Sequence, residues 1–448
     1  MTRDKNFYNS FFSLWKILVL NNIIILGVNL ADNIMLGKYS EPALSGATAC
    51  NQVQFVFQQI ILGISNAVVV LGSQYWGEKK IKPIKNIASI ACILGVVFSA
   101  VLFAFAAVMP ENVVKLFTDS QKIIEEGAVY LSIIKYTYPV FALTNIILAF
   151  LRSVESVKIG FYVSLVTLVF NISLNYVLIF GKFGVRPMGV RGAAIATLVA
   201  RVCEMIFVVI YAAFFEKNIK WQKDDFKKAD FSIYKKYLIT CIPFVITDGL
   251  FGVSTALQTV ILGHMSESAI SANSVSTTLY QVLKVAAIGS ASAASVIIGK
   301  TIGEGKKLEK IKEYSKTLQV IFVCIGILTA VVLFILRMPI VSMYNISEEA
   351  KSLANGFLLV LCVTCIGTSY QMPTNVGIIR GGGDSKFILI LDIVSIWGIV
   401  LPLSFAAAFL WDFHPVAVIA CLNADQIFKC LPAFIKANRY KWIKKLTN

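Results

Sequence analysis

The chain has 448 residues, of which 57% are hydrophobic and only 15% charged, with a formal net charge of +16. A soluble domain of this length needs far more charge to cover its surface, and a mean hydropathy of +0.75 leaves most residues facing lipid or other helices. The cation excess would suit nucleic acid in a soluble protein, but here it is confined to certain loops, so membrane topology explains it and no nucleic-acid partner is expected.

In a bilayer every backbone amide needs a partner within the protein, so long apolar runs are helices or strands of a closed barrel. Runs such as Ala88–Val108 and Val320–Leu336 are continuous, whereas barrel strands alternate in polarity over about ten residues. The runs are therefore helices. Arg3 and Lys5 imitate the start of a secretory signal, but the apolar run continues to Gly37 with no small-residue cleavage site and is kept as a membrane helix. In chain order the expected spans are 11–37, 44–72, 87–109, 127–151, 159–181 and 189–215, then 236–263, 269–299, 317–338, 351–379, 387–411 and 415–437. Pro139, Pro243, Pro373 and Pro402 interrupt spans and are expected to bend them.

Alternate loops are basic, including Lys79, Lys80, Lys82 and Lys85, then Arg152 and Lys158, then Lys300, Lys306 and Lys307. The intervening loops carry acids such as Glu111, Asp119, Glu348 and Glu349, with Lys182, Arg186 and Arg191 as the one dissenting group. The positive-inside rule then places both termini in the cytoplasm of a cell-membrane protein. Residues 217–235, with Lys217, Lys220, Lys223, Lys227 and Lys228 beside Asp224, Asp225 and Asp230, read as a cytoplasmic linker. No segment is long and polar enough for an ATPase domain, so transport would draw on an ion gradient.

An internal repeat organises these spans. Shifted by 226 residues, Leu36–Lys80 aligns with Leu262–Lys306 without a gap, and 13 of 45 positions are identical, among them Gly37/Gly263, Gly63/Gly289, Gly77/Gly303 and Glu78/Glu304. Leu151–Arg152 likewise matches Ile379–Arg380. The duplicated unit is six helices in one orientation, which implies two six-helix lobes related by a pseudo-twofold axis along the membrane normal. The expected organisation is an N-terminal lobe over 1–216, the linker over 217–235 and a C-terminal lobe over 236–448. Rocking of such lobes about a shared cavity would give alternating access.

Several stretches resemble the multidrug and toxic compound extrusion (MATE) transporters, in their bacterial DinF/NorM-like branch. They are Asp32–Gly37, Asn171–Gly181, Gly189–Thr197 with Arg201 and Glu204, and Arg380–Asp384 with Asp392, Trp397 and Pro402. The resemblance implies twelve helices in two lobes and export of organic compounds driven by H+ or Na+. It also implies a cation-coupling set of Asp32, Asn171, Asn175 and Thr197, with Asn145 nearby, which would hold Na+ if sodium is the ion. Asn175 departs from the family pattern, which often has an acid there, and the departure leaves the choice of ion open.

Polar residues at membrane depth point the same way, because each is costly unless functional or paired. A carboxylate such as Asp32 can exchange a proton in low dielectric, or simply cap or bridge helices. Asn51, Gln54 and Gln58 recur at i, i+3 and i+7 on one helical face, with Thr277, Tyr280 and Lys284 as repeat counterparts. Such stripes line a substrate cavity or act as interhelical glue. Asp248 belongs with this set or serves a structural ion pair. Lys284 would pair with Asp248 or Asp392, or would mark an anionic or zwitterionic substrate.

The nine cysteines lie in apolar segments and read as packing residues, and His264 and His414 make no metal cluster. The expected function is an antiporter for drug-like, cationic organic compounds, monomeric, partnered by lipid and the coupling ion, with no cofactor. A flippase or exporter of an anionic or lipid-linked metabolite is the alternative. An enzyme would need a reactive constellation at membrane depth, and the sequence supplies none.

Overall fold

The computed structural model describes residues 1–115, 120–216, 231–263, 265, 267–344 and 346–447. Asp119, His264 and the linker lysines and aspartates of 217–230 lie outside the described residues. The helices are α1 (Lys5–Tyr39), α2 (Glu41–Gly77), α3 (Ile81–Val108), α4 (Gln121–Ile134 with Thr137–Ser153), α5 (Lys158–Phe180) and α6 (Gly189–Phe215). They continue as α7 (Phe231–Gly263), α8 (Glu267–Gly303), α9 (Leu308–Met343), α10 (Glu348–Arg380), α11 (Ser385–Phe409) and α12 (Pro415–Arg439). Among the described residues eleven helices are long and apolar enough to cross a membrane, and twelve if the two parts of α4 form one span. The chain is an all-α integral membrane protein of the twelve-helix, two-lobe class.

The two parts of α4 meet at 51°. The break at Lys135–Tyr136 has a local cause: Pro139 has no amide to donate, and its ring crowds the carbonyl four residues back, that of Lys135. Pro243 behaves differently. It lies inside α7, where Thr247 Oγ1 donates to its carbonyl at 2.7 Å. Pro373 opens a widened, π-type segment over Pro373–Arg380, and Pro402 follows another over Ile393–Val400.

Two compact units emerge. The first comprises residues 20–72 and 80–249, and the second 1–19, 73–79 and 250–448, so the borders fall within α1, α2 and α7. In the first unit small residues permit close helix approach. Gly63 packs on the backbone of Phe244 and Val245, and Gly192 on that of Leu178 and Ile179. Tyr237, fully buried, donates from its hydroxyl to Ile64 O at 2.9 Å.

The second unit packs α8 through α12 around Phe357, Leu358, Leu361 and Val418. Gly367 lies against Gln426, and Gly377 against Ala291. The segment after α12 folds back onto this unit. Trp442 is fully buried over Gly382, and Lys444 N donates to Gly382 O at 2.9 Å. Gln74 at the end of α2 donates to Lys444 O at 3.1 Å and accepts from Leu446 N at 2.7 Å. Lys445 pairs with Glu78 at 2.8 Å. Apolar side chains left at the surface, such as Val97, Val101 and Phe105 on α3 and Leu328, Val331 and Ile335 on α9, suit contact with lipid tails.

Candidate functional site

The first unit encloses a cavity of about 320 Å³. Four of its helices contribute polar side chains in stripes set by the helical repeat. α1 supplies Asn29, Asp32 and Asn33, and α2 supplies Asn51, Gln54 and Gln58. α5 supplies Ser164, Thr167 and Asn171, and α6 supplies Thr197, Arg201 and Glu204. Thr48 and Gln52 of α2 and Tyr130 of α4 complete the polar lining.

Asn175, fully buried, ties α5 to α1. Its Nδ2 donates to Asp32 Oδ1 at 2.5 Å and to Asn171 Oδ1 at 3.1 Å. Its own Oδ1, like Gln54 Oε1, is buried with no hydrogen-bond partner among the described residues. Unsatisfied acceptors in apolar surroundings are costly unless something else fills them. Arg201 Nη1 donates to Glu204 Oε2 at 2.8 Å on the same cavity wall.

Asn145 stands apart from this group. It does not line the cavity, and its Nδ2 donates to Phe141 O of its own helix at 2.9 Å. Asp248 also lies off the cavity, accepting from Asn66 Nδ2 at 3.2 Å.

Thr277, Tyr280 and Lys284 belong to the second unit. Thr277 Oγ1 donates to Asn273 O at 2.7 Å, and the Tyr280 hydroxyl is 2.8 Å from Thr368 Oγ1. Lys284 Nζ sits 5.8 Å from the Phe251 ring centroid and 5.9 Å from that of Tyr280, with no ion pair among the described residues. The pairing of Lys284 with Asp392 is thus corrected. Asp392 is taken by Lys429 at 2.8 Å, which also holds Asp425 at 3.0 Å. From there Gln426 links Asp425 to Thr368, and so to Tyr280.

Ser164 and Thr167 line the cavity without being among the residues expected from the sequence. Together with Asn171 they repeat the i, i+3, i+7 spacing of the α2 amides, so the same rule could have found them. Asp425 and Lys429, four residues apart on one helix face, were also readable as a pair.

The MatE family model matches residues 18–177 and 243–406, most of the chain. The chain belongs to the MatE family. A probable multidrug resistance protein NorM of Thermotoga maritima is 23% identical over 425 residues, covering 95% of this MatE chain and 90% of the relative. Among solved structures, a mutant of the Vibrio cholerae MATE transporter VcmN superposes with a TM-score of 0.87 at 16% identity, covering 98% of both chains. A MOP superfamily transporter from Pyrococcus furiosus, described by reverse polarity of its binding pocket that suggests a different function, gives a TM-score of 0.87 at 16% identity over 98% of this MatE chain and 96% of that one. This MatE chain is thus a multi-pass membrane protein of the multidrug efflux transporter family.

Proposed function

We propose that this protein exports organic cations across the cell membrane by alternating access, in exchange for H+ or Na+. One observation carries the reading: Asp32 presents a carboxylate to a cavity whose other lining groups are mostly neutral amides and hydroxyls. Neutral oxygens and one carboxylate suit a cation, and the cavity is of the size that takes a small organic molecule. Substrate and coupling ion would then compete for the same carboxylate, which is how binding of one drives release of the other. The multidrug resistance assigned to relatives by name supports the same class. Both termini on the cytoplasmic side and a monomeric unit belong to this proposal.

Everted membrane vesicles given ethidium test it. Uptake driven by an imposed proton or sodium gradient should vanish in Asp32→Asn while the protein remains folded, and applying each gradient separately identifies the ion. Normal uptake by that variant would rule out Asp32 as the coupling group.

A second reading, export of an anionic or lipid-linked metabolite, draws on Lys284, which has aromatic neighbours and no carboxylate partner among the described residues. The reversed pocket polarity of the Pyrococcus relative keeps it open. Competition of organic anions against cations, in wild type and Lys284→Ala, separates the two readings.

A further inference from the structure

Four titratable side chains line the cavity of the first unit: Asp32 from α1, Tyr130 from α4, and Arg201 and Glu204 from α6. Tyr130 is a neutral phenol at physiological pH. Arg201 and Glu204 lie 2.8 Å apart, with side chains 21% and 6% exposed, and the guanidinium stands 5.5 Å from the Phe141 ring centroid. Asp32 has a different setting. Its hydrogen-bond partner is the uncharged Asn175 amide, and it forms no ion pair among the described residues.

We infer that the Arg201–Glu204 pair sets the valence that the cavity accepts. The two charges of the pair sum to zero, so the cavity lining carries one net negative charge, held on Asp32, which the Arg201 guanidinium also reaches. Exchange is thereby restricted to one positive charge at a time, a monovalent organic cation against one H+ or Na+. This rests on the export reading above and adds a residue pair that determines specificity.

The physical basis is the penalty for net charge in a poorly hydrated site. A bound monocation brings the sum of Asp32, Arg201, Glu204 and ligand to zero, as does a proton on Asp32. A dication leaves one positive charge in excess, and an anion adds to the negative one. The preference depends on the count of charges and not on the identity of the pair. Removing either member changes the sum by one, and removing both restores it. A pair that only braces α6 would show no such restoration.

Ethidium and propidium share one ring system, but propidium carries a second, quaternary positive charge on a longer arm, so the change in their ratio between variants reads charge while the difference in size stays constant. Their binding is measured by fluorescence on purified wild type, Arg201→Gln, Glu204→Gln and the double variant, each checked for folding by gel filtration. Wild type is expected to favour ethidium by roughly tenfold, the equivalent of one modest charge interaction. Glu204→Gln leaves the guanidinium uncompensated and should weaken ethidium by about tenfold or more. Arg201→Gln makes the cavity doubly negative and should shift the ratio toward propidium by a similar factor. The double variant should return to the wild-type preference.

Arg201→Lys and Glu204→Asp keep the charges, so they should keep the preference even if a neutral variant fails to fold. A double variant no better than the singles, or an Arg201→Gln ratio equal to wild type, would overturn the assignment alone. Folded wild type that binds neither dye would overturn the export reading and this assignment with it.

Discussion

Gly77 and Gly303, equivalent positions of the repeat, pack backbone against backbone within the second unit. A methyl group on Gly77 would overlap Lys300 O, and one on Gly303 would overlap Gln74 O. The ends of α2 and α8 therefore leave no room for a side chain at either position, which explains why both copies hold glycine there. Gly77→Ala and Gly303→Ala should each destabilise the protein by about 1–3 kcal/mol, the usual cost of overpacking. Gly27→Ala is the control, since nothing lies within 4 Å of a Cβ there. Thermal unfolding in detergent should show a lowered midpoint for the first two variants and none for the third.

Among the described residues Trp442 is the largest fully buried side chain, and it lies outside every span. It covers Gly382 and donates from its indole nitrogen to Ala437 O at 2.8 Å. Trp442→Ala should cost about 3–5 kcal/mol, as large-to-small changes in a packed core do. Limited proteolysis should then cut the segment after Arg439, where the wild-type protein resists. Equal resistance in both would mean that the tryptophan does not anchor this segment.

Two carboxylates outside the spans give the stability a defined acid limb. Burial works to raise Asp384, but Lys436 at 2.7 Å and Lys444 at 2.9 Å outweigh it and hold the group below its ordinary value. Asp4 is lowered to about 2, chiefly by the Tyr314 hydroxyl and then by Lys310. A depressed carboxylate stabilises the fold fully above its unfolded value of about 3.9, and the gain is lost as pH falls through the folded value. Melting temperature should therefore be insensitive to these groups near neutrality and drop below about pH 4. Asp4→Asn and Asp384→Asn should be less stable than wild type at pH 7, with the gap closing in acid. A gap that widened in acid would reverse the sign of this account.

The spans were legible because lipid enforces a run of about 20 apolar residues for each crossing. The bend in α4 was legible only in part. Pro139 marked the region, but the break falls at Lys135–Tyr136, where the steric clash acts. The spacing of Asn51, Gln54 and Gln58 put them on one face, and all three line the cavity. Asn175 and Asp32 meet across 143 residues of sequence, which no local pattern encodes and only the resemblance brought together. The anchoring of Trp442 and the capture of Asp392 by Lys429 are purely tertiary. Nothing in the sequence around Lys284 signals that its expected partner is already occupied.

Asn175 offers the sharpest probe of the ion. Its Nδ2 donates to both Asp32 and Asn171, so an aspartate there removes a donor and sets a second carboxylate beside the first. Two adjacent carboxylates cannot both stay charged without a cation between them. Asn175→Asp should therefore gain sodium affinity by roughly tenfold, about 1.4 kcal/mol. Because a ligand that binds only the folded state stabilises it, sodium chloride should raise the melting temperature of the variant more than choline chloride does. The same sodium-specific rise in wild type should be smaller. The added negative charge should also shift dye preference toward propidium, in the same direction as Arg201→Gln. If sodium and choline act alike on the variant, the Asp32–Asn171–Asn175 cluster is not where a cation binds.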